Sequence, residues 1–491
     1  MPDPLSPSSS SSSRLLAQQA LSRAAGAPLL SGNAVDLLID AAANYAAWLK
    51  AIRSARQRVL LENYMVRDDV VGREFRDALV ERAQAGVFVA VVVDWVGCLG
   101  QSRSGFWAPL RAAGGEVRVY NPLQLGQTFG WLSRDHRKSL VVDGVTGFLS
   151  GVCISTRWLG NPARDVPPWR DTGVALRGPV VTELEAAFAQ SWSATGTPLR
   201  EFPSAAEPTT PAGDVALRLI ATQPSTAGMY RLDQLIASLA TRTLWLTDAY
   251  FVGIAPYVQA LVAAARDGVD VRLLVPGSSD IPAVANMSRA GYRPLLKAGI
   301  RVFEWNGSML HAKTAVADGQ WARVGSSNLN LASWLGNQEL DVAIEDATFA
   351  GKLAAQYEHD LENATEIVLA PHHRRGHAEK VRTSQARPRV RHGGGSSGRA
   401  AAGALRLANS VGAALGHRRV LGATSARPLF LATAALLVLG VIAALWPAWI
   451  GWPVAVLCAW FALNLGIRGW RLRRRQRTAR EADARGAGHD T

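Results

Sequence analysis

Residues 310–319 read LHAKTAVADG, and residues 135–144 read DHRKSLVVDG. Both segments contain a His, a Lys two positions later, four further residues and an Asp-Gly pair. Since residues i and i+2 of a strand lie on one face, His311 and Lys313 should point the same way, as should His136 and Lys138. The Asp-Gly pair predicts a turn after each strand. A single such segment is usually a solvated strand face, but two copies at matching points of a repeat are strong evidence of a shared site.

The rest of the chain up to about residue 370 repeats in the same way. The strand-like run 58–64 corresponds to 243–250, the helix, Gly and strand of 78–94 correspond to 260–275, and 115–120 corresponds to 299–303. Strands that alternate with helices predict an α/β fold. The repeat predicts two homologous domains, residues 29–205 and 215–370, related by pseudo-two-fold symmetry.

Further matching positions follow each segment. Six residues after Asp318 comes Gly-Ser-Ser-Asn, residues 325–328, and six residues after Asp143 comes Ser-Gly-Val-Cys, residues 150–153. Later, the stretch that ends at Asp171 aligns with the stretch that ends at Glu339. Each half therefore offers a His, a Lys and a later carboxylate that could orient the imidazole, although a surface salt bridge or a turn cap is the alternative for Asp171 and Glu339.

The positive charge is concentrated in the last quarter of the chain. The formal charge is +14, yet residues 374–491 contain 20 Lys and Arg against 4 Asp and Glu, a balance of +16, which leaves −2 for residues 1–373. A domain that grips duplex DNA usually has a basic face of its own. The near-neutral body gives no such signal, so nucleic acid is not the expected partner.

The same tail contains a long apolar stretch. Residues 428–467 have no charged side chain, and about 20 apolar residues cross a bilayer. We therefore expect a two-helix transmembrane hairpin, between a basic linker with an amphipathic helix (371–427) and a basic tail (468–491). Basic residues on both sides predict that both flanks are cytoplasmic and contact anionic lipid headgroups. A buried helical hairpin of a soluble domain is the alternative.

The start of the chain and the cysteines carry less information. Residues 1–28 begin with a Pro and Ser run, and this composition predicts a disordered leader. The run lacks the features of a secretory signal. The three cysteines, Cys98, Cys153 and Cys458, are widely spaced. They indicate neither a disulfide framework nor a zinc site.

The paired H-x-K-x4-D elements, and the Gly-Ser-x-Asn that follows the second, resemble those of the phospholipase D superfamily. The segments 135–138, 337–339 and 406–415 narrow the resemblance to its bacterial cardiolipin synthase branch. The resemblance covers about residues 28–422. It implies two α/β/α sandwich domains, no cofactor and no metal, and a location at the bacterial inner membrane with the catalytic body on the cytoplasmic side. The family's first element usually reads Gly-Gly-x-Asn, so Cys153 departs from it, and phosphate binding is expected to depend on Ser326 and Asn328.

The resemblance also implies the chemistry. The catalytic set is His136, Lys138, Asp143, His311, Lys313 and Asp318. One His would form a phosphohistidine and the other would transfer protons, with His136 favoured as the nucleophile and His311 as the acid and base. The two Asp residues of the set are expected to brace the turns rather than to touch substrate.

The expected reaction is transfer of a phosphatidyl group to phosphatidylglycerol, and the expected partners are anionic phospholipids and the membrane. A phospholipase D-type hydrolase, a nuclease of the same superfamily and a non-enzymatic membrane scaffold are the alternatives. The lipid specificity, the acyl preference and the oligomeric state do not follow from the sequence.

Overall fold

The computed structural model describes residues 7–100, 105–122, 133–200 and 211–369 of the 491-residue chain. After helix α1 (Pro7–Ala25), the first half contains β1 (Leu30–Ile39), α2 (Asp40–Ser54), β2 (Arg58–Asn63), α3 (Val70–Gln84), β3 (Phe88–Asp94), α4 (Ala108–Ala112), β4 (Glu116–Tyr120), β5 (Lys138–Val142), β6 (Thr146–Ser150), β7 (Thr172–Arg177) and α5 (Val180–Ala194). The second half contains β8 (Val215–Thr222), α6 (Gly228–Leu239), β9 (Thr243–Thr247), α7 (Ala255–Arg266), β10 (Asp270–Pro276), α8 (Pro282–Lys297), β11 (Arg301–Trp305), β12 (Thr314–Ala317), β13 (Trp321–Gly325), β14 (Glu339–Glu345), α9 (Ala347–Glu362) and β15 (Ala364–Ile367).

The strands of the two halves join in one sheet. Its order is β15-β11-β10-β9-β12-β13-β14-β8-β1-β7-β6-β5-β2-β3-β4. The antiparallel pair β1–β8 lies at the seam, and the order on one side of it repeats on the other, with β15 added at the second edge. The predicted α/β fold is confirmed, and the repeat seen in the sequence is a repeat of the whole strand order.

The sheet is covered on both faces because successive side chains of each strand point to opposite sides. In β2, Val59 and Leu61 pack among the buried side chains of α2 and α3. Leu60, between them, belongs to the cluster that contains the apolar faces of α5 and α9. The latter cluster combines side chains from both halves, which ties the two repeats into one core.

The prediction of a disordered leader over residues 1–28 is wrong for Pro7–Ala25, which form α1. The last turns of this helix bury Leu21 and Ala25 against the second half. The buried Arg218 donates to Ser22 Oγ at 3.2 Å and to the Gln18 carbonyl at 3.2 Å. The Pro and Ser run obscured the helix, because the Leu, Ala, Gln and Arg residues that favour it come later, from residue 14.

Among the helices that the structure describes, none combines the length and the apolar composition that a membrane span requires. The predicted hairpin at 428–467, the amphipathic linker and the basic tail all lie outside those ranges.

Candidate active site

The two histidine segments lie where the halves meet, just before β5 and β12. The backbone N–H of His136 donates to the carbonyl of Gln338 at 2.9 Å, and the N–H of His311 donates to the carbonyl of Arg170 at 2.7 Å. Each histidine is therefore attached by its backbone to the loop of the opposite half that carries a carboxylate.

The side chains of the two histidines also pair with carboxylates of the opposite half. Nδ1 of His136 lies 2.8 Å from Oε2 of Glu339, and Nδ1 of His311 lies 2.8 Å from Oδ2 of Asp171. The sequence predicted that these carboxylates could orient the imidazoles, but it did not show that each serves the histidine of the other half. A carboxylate can only accept, so Nδ1 donates and Nε2 is left unprotonated for chemistry.

A lysine lies beside each histidine. Lys138 Nζ donates to the His136 carbonyl, and Lys313 Nζ donates to the His311 carbonyl. Lys313 Nζ also lies 3.0 Å from Nδ1 of His311. This second contact is not a hydrogen bond when Nδ1 carries the proton that it donates to Asp171. It instead places a positive charge next to the ring.

Burial lowers the pKa of His311 to about 4, and the charge of Lys313 acts in the same direction against the opposing effect of Asp171. Burial also lowers the pKa of Lys313 to about 8, and Lys138 adds to that shift. Burial alone would raise the pKa of Asp171, but the interaction with His311, followed by that with Lys313, holds it at about 2. At neutral pH, Asp171 is therefore ionised and His311 is a neutral imidazole.

The carboxylate of Glu339 is held within the second half. Ser326 Oγ donates to its Oε2 at 2.7 Å, and Asn337 Nδ2 donates to its Oε1 at 3.1 Å. Ser326 Oγ also accepts the N–H of Leu340 at 2.9 Å. The Ser326 hydroxyl is thus used on both sides in supporting Glu339, and its contact with phosphate stays a prediction. Burial raises the pKa of Glu339 despite these donors.

The carboxylate of Asp171 has different neighbours. Trp158 Nε1 donates to its Oδ2 at 2.9 Å, and the N–H of Thr172 donates to its Oδ1 at 2.9 Å. A Cβ added to Gly151, the position that corresponds to Ser326, would lie 2.2 Å from Asp171 Oδ1. Sequence reasoning missed Trp158. A signal was present, because Trp-Leu-Gly-Asn occurs at both 158–161 and 334–337.

The loops 150–153 and 325–328, which are expected to contact phosphate, differ at their last residue. Asn328 is buried, and its Oδ1 has no hydrogen-bond partner among the described residues. Cys153 is buried at the corresponding place, and burial raises the pKa of its thiol. The second half therefore offers an amide where the first half offers a neutral thiol.

Buried charges hold the Asn328 loop in place. Asp248 accepts the N–H of Leu329 at 2.6 Å, and Arg323 donates to Asp233 at 2.9 Å and to the Ser327 carbonyl at 3.1 Å. Burial raises the pKa of Asp233 and of Asp248 to about 6. No motif in the sequence indicated this network.

Aromatic rings border both imidazoles. The centroid of Tyr64 lies 5.0 Å from that of His136. Around His311 the corresponding distances are 5.4 Å for Trp158, 5.8 Å for Tyr250 and 5.9 Å for Trp169. Tyr64 and Tyr250 thus each lie against the histidine of their own half.

Asp143 and Asp318 lie at the far end of β5 and β12 from the histidines. The Asp143 carboxylate accepts the backbone N–H groups of residues 56, 57 and 58 at 2.8–2.9 Å. Asp318 accepts those of residues 241, 242 and 243 at 2.7–2.9 Å. Both have positive φ, 56° and 54°, so each closes a hairpin and attaches it to the start of the neighbouring strand. This position is consistent with a structural role, in which each Asp stabilises the turn.

Within the described ranges, no three His, Cys, Asp or Glu side chains are grouped to hold a metal ion.

Comparison with known proteins gives a consistent result. Residues 232–361 match the family described as "Cardiolipin synthase, PLD-like domain". The chain is 32% identical over 345 residues to a cardiolipin synthase of Alkalihalophilus pseudofirmus, covering 69% of this chain and 68% of the relative. It is 33% identical over 353 residues to cardiolipin synthase A of Pseudomonas entomophila, covering 69% and 71%.

Among solved structures, a phosphatidylserine synthase of Haemophilus influenzae aligns with a TM-score of 0.56 and 14% identity, covering 72% of this chain and 92% of that one. At this identity the similarity shows a shared fold.

Proposed function

The chain belongs to the cardiolipin synthase family, a phosphatidyltransferase branch of the phospholipase D superfamily, and from that premise we propose that it joins two phosphatidylglycerol molecules into cardiolipin and releases glycerol. The observation that carries this proposal is the pair of imidazole–carboxylate contacts, each 2.8 Å long and each joining the two halves. Two imidazoles with unprotonated Nε2 atoms in one site suit a double displacement, in which one attacks while the other moves a proton.

In the first step, Nε2 of one histidine attacks the phosphorus of phosphatidylglycerol, and the bond from phosphorus to the glycerol headgroup breaks. The other histidine, protonated when substrate is bound, gives its proton to the departing oxygen. In the second step, this histidine takes a proton from the headgroup hydroxyl of a second phosphatidylglycerol. The resulting oxygen attacks phosphorus and releases the first imidazole, so atoms and protons balance.

Positive charge near the phosphoryl oxygens is the second requirement. Lys138 and Lys313 are both fully buried beside the histidines, and fixed charges in a dry site stabilise the transition state more than they would in water. We propose that the two lysines and the Asn328 amide hold the phosphoryl oxygens.

The order of the two histidines stays a prediction. His136 as the nucleophile requires His311 to act as the acid. The pKa of His311, about 4, opposes that role until a phosphate anion binds beside it. The nucleophile can be identified by exposing the enzyme briefly to labelled phosphatidylglycerol, isolating the protein and mapping the peptide that carries the label.

We also propose that the tail brings this site to the bilayer. The uncharged stretch 428–467 between basic flanks would anchor the chain in the bacterial inner membrane with both flanks in the cytoplasm. Both reactants are lipids, so an anchored site meets them at the surface where they reside. Residues 400–415, at helical apolar spacing, would lie along the interface or pack on the body.

The test is product analysis with purified full-length enzyme and labelled phosphatidylglycerol in micelles. We expect cardiolipin and glycerol, and no turnover in either His136→Ala or His311→Ala. His359→Ala is the matched control, because that side chain is 71% exposed and pairs only with Glu362 among the described residues. Activity that survives loss of His136 or His311 would refute the two-histidine mechanism.

The same assay separates the alternatives. Phosphatidic acid as the sole product, even with excess acceptor lipid, would identify a hydrolase. Chelator-resistant cleavage of single-stranded DNA would identify a nuclease.

A further inference from the structure

The two carboxylates that orient the histidines receive different donors. Glu339 receives the hydroxyl of Ser326, while Asp171 receives the indole N–H of Trp158 on Oδ2. In both cases the donor reaches the same oxygen that faces the histidine. The two halves thus build one arrangement, a carboxylate oxygen shared between an imidazole and a second donor, from different residues.

The position of Asp171 explains why the first half cannot use a hydroxyl. The counterpart of Ser326 is Gly151, where even a Cβ would approach Asp171 Oδ1 to 2.2 Å. Aspartate is one methylene shorter than glutamate, and its carboxylate lies directly against this loop. The second donor therefore has to come from elsewhere, and Trp158 supplies it.

The repeated Trp-Leu-Gly-Asn shows that this use of the indole is particular to the first half. Trp158 lies in a one-turn 3-10 helix, Thr156–Leu159, and Trp334 lies in a one-turn π-helix, Ala332–Gly336. Both rings are buried, but Trp334 Nε1 donates to Asp233 at 3.1 Å, away from Glu339. The same four residues therefore fill a core position in one half and reach the site in the other.

We propose that Trp158 is a positioning residue for the His311–Asp171 pair, and that its indole N–H holds the Asp171 carboxylate and limits the basicity of His311. The inference deepens the proposed function and rests on it for its catalytic meaning. The N–H donor draws charge from Oδ2, which makes that oxygen a weaker acceptor for Nδ1 of His311. Without the donor, Asp171 would stabilise the protonated imidazole more strongly.

Other groups also act on this pair. The titratable or charged groups that face His311 or Asp171 are Lys313, Lys138, Asp40, Arg170, Tyr45, Cys153 and Tyr250. In addition, the guanidinium of Arg157 lies 5.5 Å from the Trp169 ring centroid. All of them remain when the Trp158 side chain alone is changed, so a shift in the titration of His311 reports on the indole.

The experiment removes the N–H donor in two ways. Trp158→Phe deletes it together with part of the ring, and 3-benzothienylalanine at position 158, with sulfur in place of N–H, deletes it while keeping the shape, which guards against a folding defect. Trp334→Phe is the matched control, since it removes the equivalent N–H from Asp233.

The titration of His311 is followed by NMR in full-length, histidine-labelled protein in micelles, with its signal identified by its loss in His311→Gln. We expect both Trp158 variants to raise the pKa of His311 by about 0.5–1 unit. One limb of the pH–activity profile should move in the same direction. Trp334→Phe should change neither the pKa of His311 nor the pH–activity profile. An unchanged titration in both Trp158 variants would overturn the inference and leave the proposed function standing. A wild-type enzyme that makes no cardiolipin would overturn the function, while the titration would still be measured.

Discussion

The exchange of carboxylates between the halves can be measured as a coupling free energy. Two double-mutant cycles combine His136→Ala with Glu339→Gln, and His311→Ala with Asp171→Asn. Each pair shares a 2.8 Å contact in a fully buried site, and a hydrogen bond to a charged group contributes about 1.5–3 kcal/mol. We therefore expect each double variant to be less destabilised than the sum of its single variants by about that amount.

Two control cycles use the same four substitutions in the same-half pairs, His136 with Asp171 and His311 with Glu339. We expect a smaller coupling free energy in these cycles, because the 2.8 Å contacts join the other two pairs. For a body of about 350 residues, an unfolding entropy near 2 cal/mol/K per residue makes 1 kcal/mol equal to about 1.4 °C in Tm. Scanning calorimetry of the full chain should therefore show about 2–4 °C of non-additivity in the cross-half cycles. The reasoning is refuted if that non-additivity appears in the same-half cycles and is absent from the cross-half ones.

Three further predictions use other buried groups. Burial and the neighbouring Glu62 raise the pKa of Asp135 well above its usual range. The folded state therefore holds a proton that the unfolded state has lost, so the free energy of unfolding falls as the pH rises above about 4. Glu62→Gln should lessen that fall, and a Tm difference between this variant and wild type that does not vary with pH would contradict the prediction. Asn328→Ala should lower kcat/KM by about 100-fold if its amide holds a phosphoryl oxygen, whereas Cys153→Ala should change it by no more than a few-fold; equal losses in steady-state assays would show that both loops bind phosphate. Asp143→Asn should lower Tm but leave the kcat of the folded enzyme near wild type, and a large loss of kcat at unchanged Tm would count against its role as a brace.

Much of the fold was predictable because it depends on local patterns that occur twice. Buried runs such as 58–63 and 88–94 alternate with helices, and each reappears in the second half. The catalytic candidates His136, Lys138, His311 and Lys313 were predictable for the same reason, since their spacing repeats. Helix α1 was missed because its stabilising contacts, such as Arg218 with Ser22, join residues almost 200 positions apart.

The partners within the site were less predictable than its members. Which histidine meets Asp171 depends on how the halves dock across the β1–β8 seam, and spacing within one half carries no information about docking. Ser326 matched a phosphate-binding pattern, but the position of Glu339 decides where its hydroxyl points. The repeated Trp158 and Trp334 were visible in the sequence, yet only the three-dimensional arrangement assigns one to Asp171 and the other to Asp233.

The crossed contacts also constrain how such a protein can evolve. Because the carboxylate that serves each histidine is encoded in the other repeat, neither repeat contains a complete catalytic pair. Deleting one repeat would remove one histidine and leave the remaining one without its carboxylate, so the loss could be compensated only by a second copy docking across the open seam. The residues around the two pairs can differ, as Gly151 and Ser326 do, but the loss of either repeat would break both pairs.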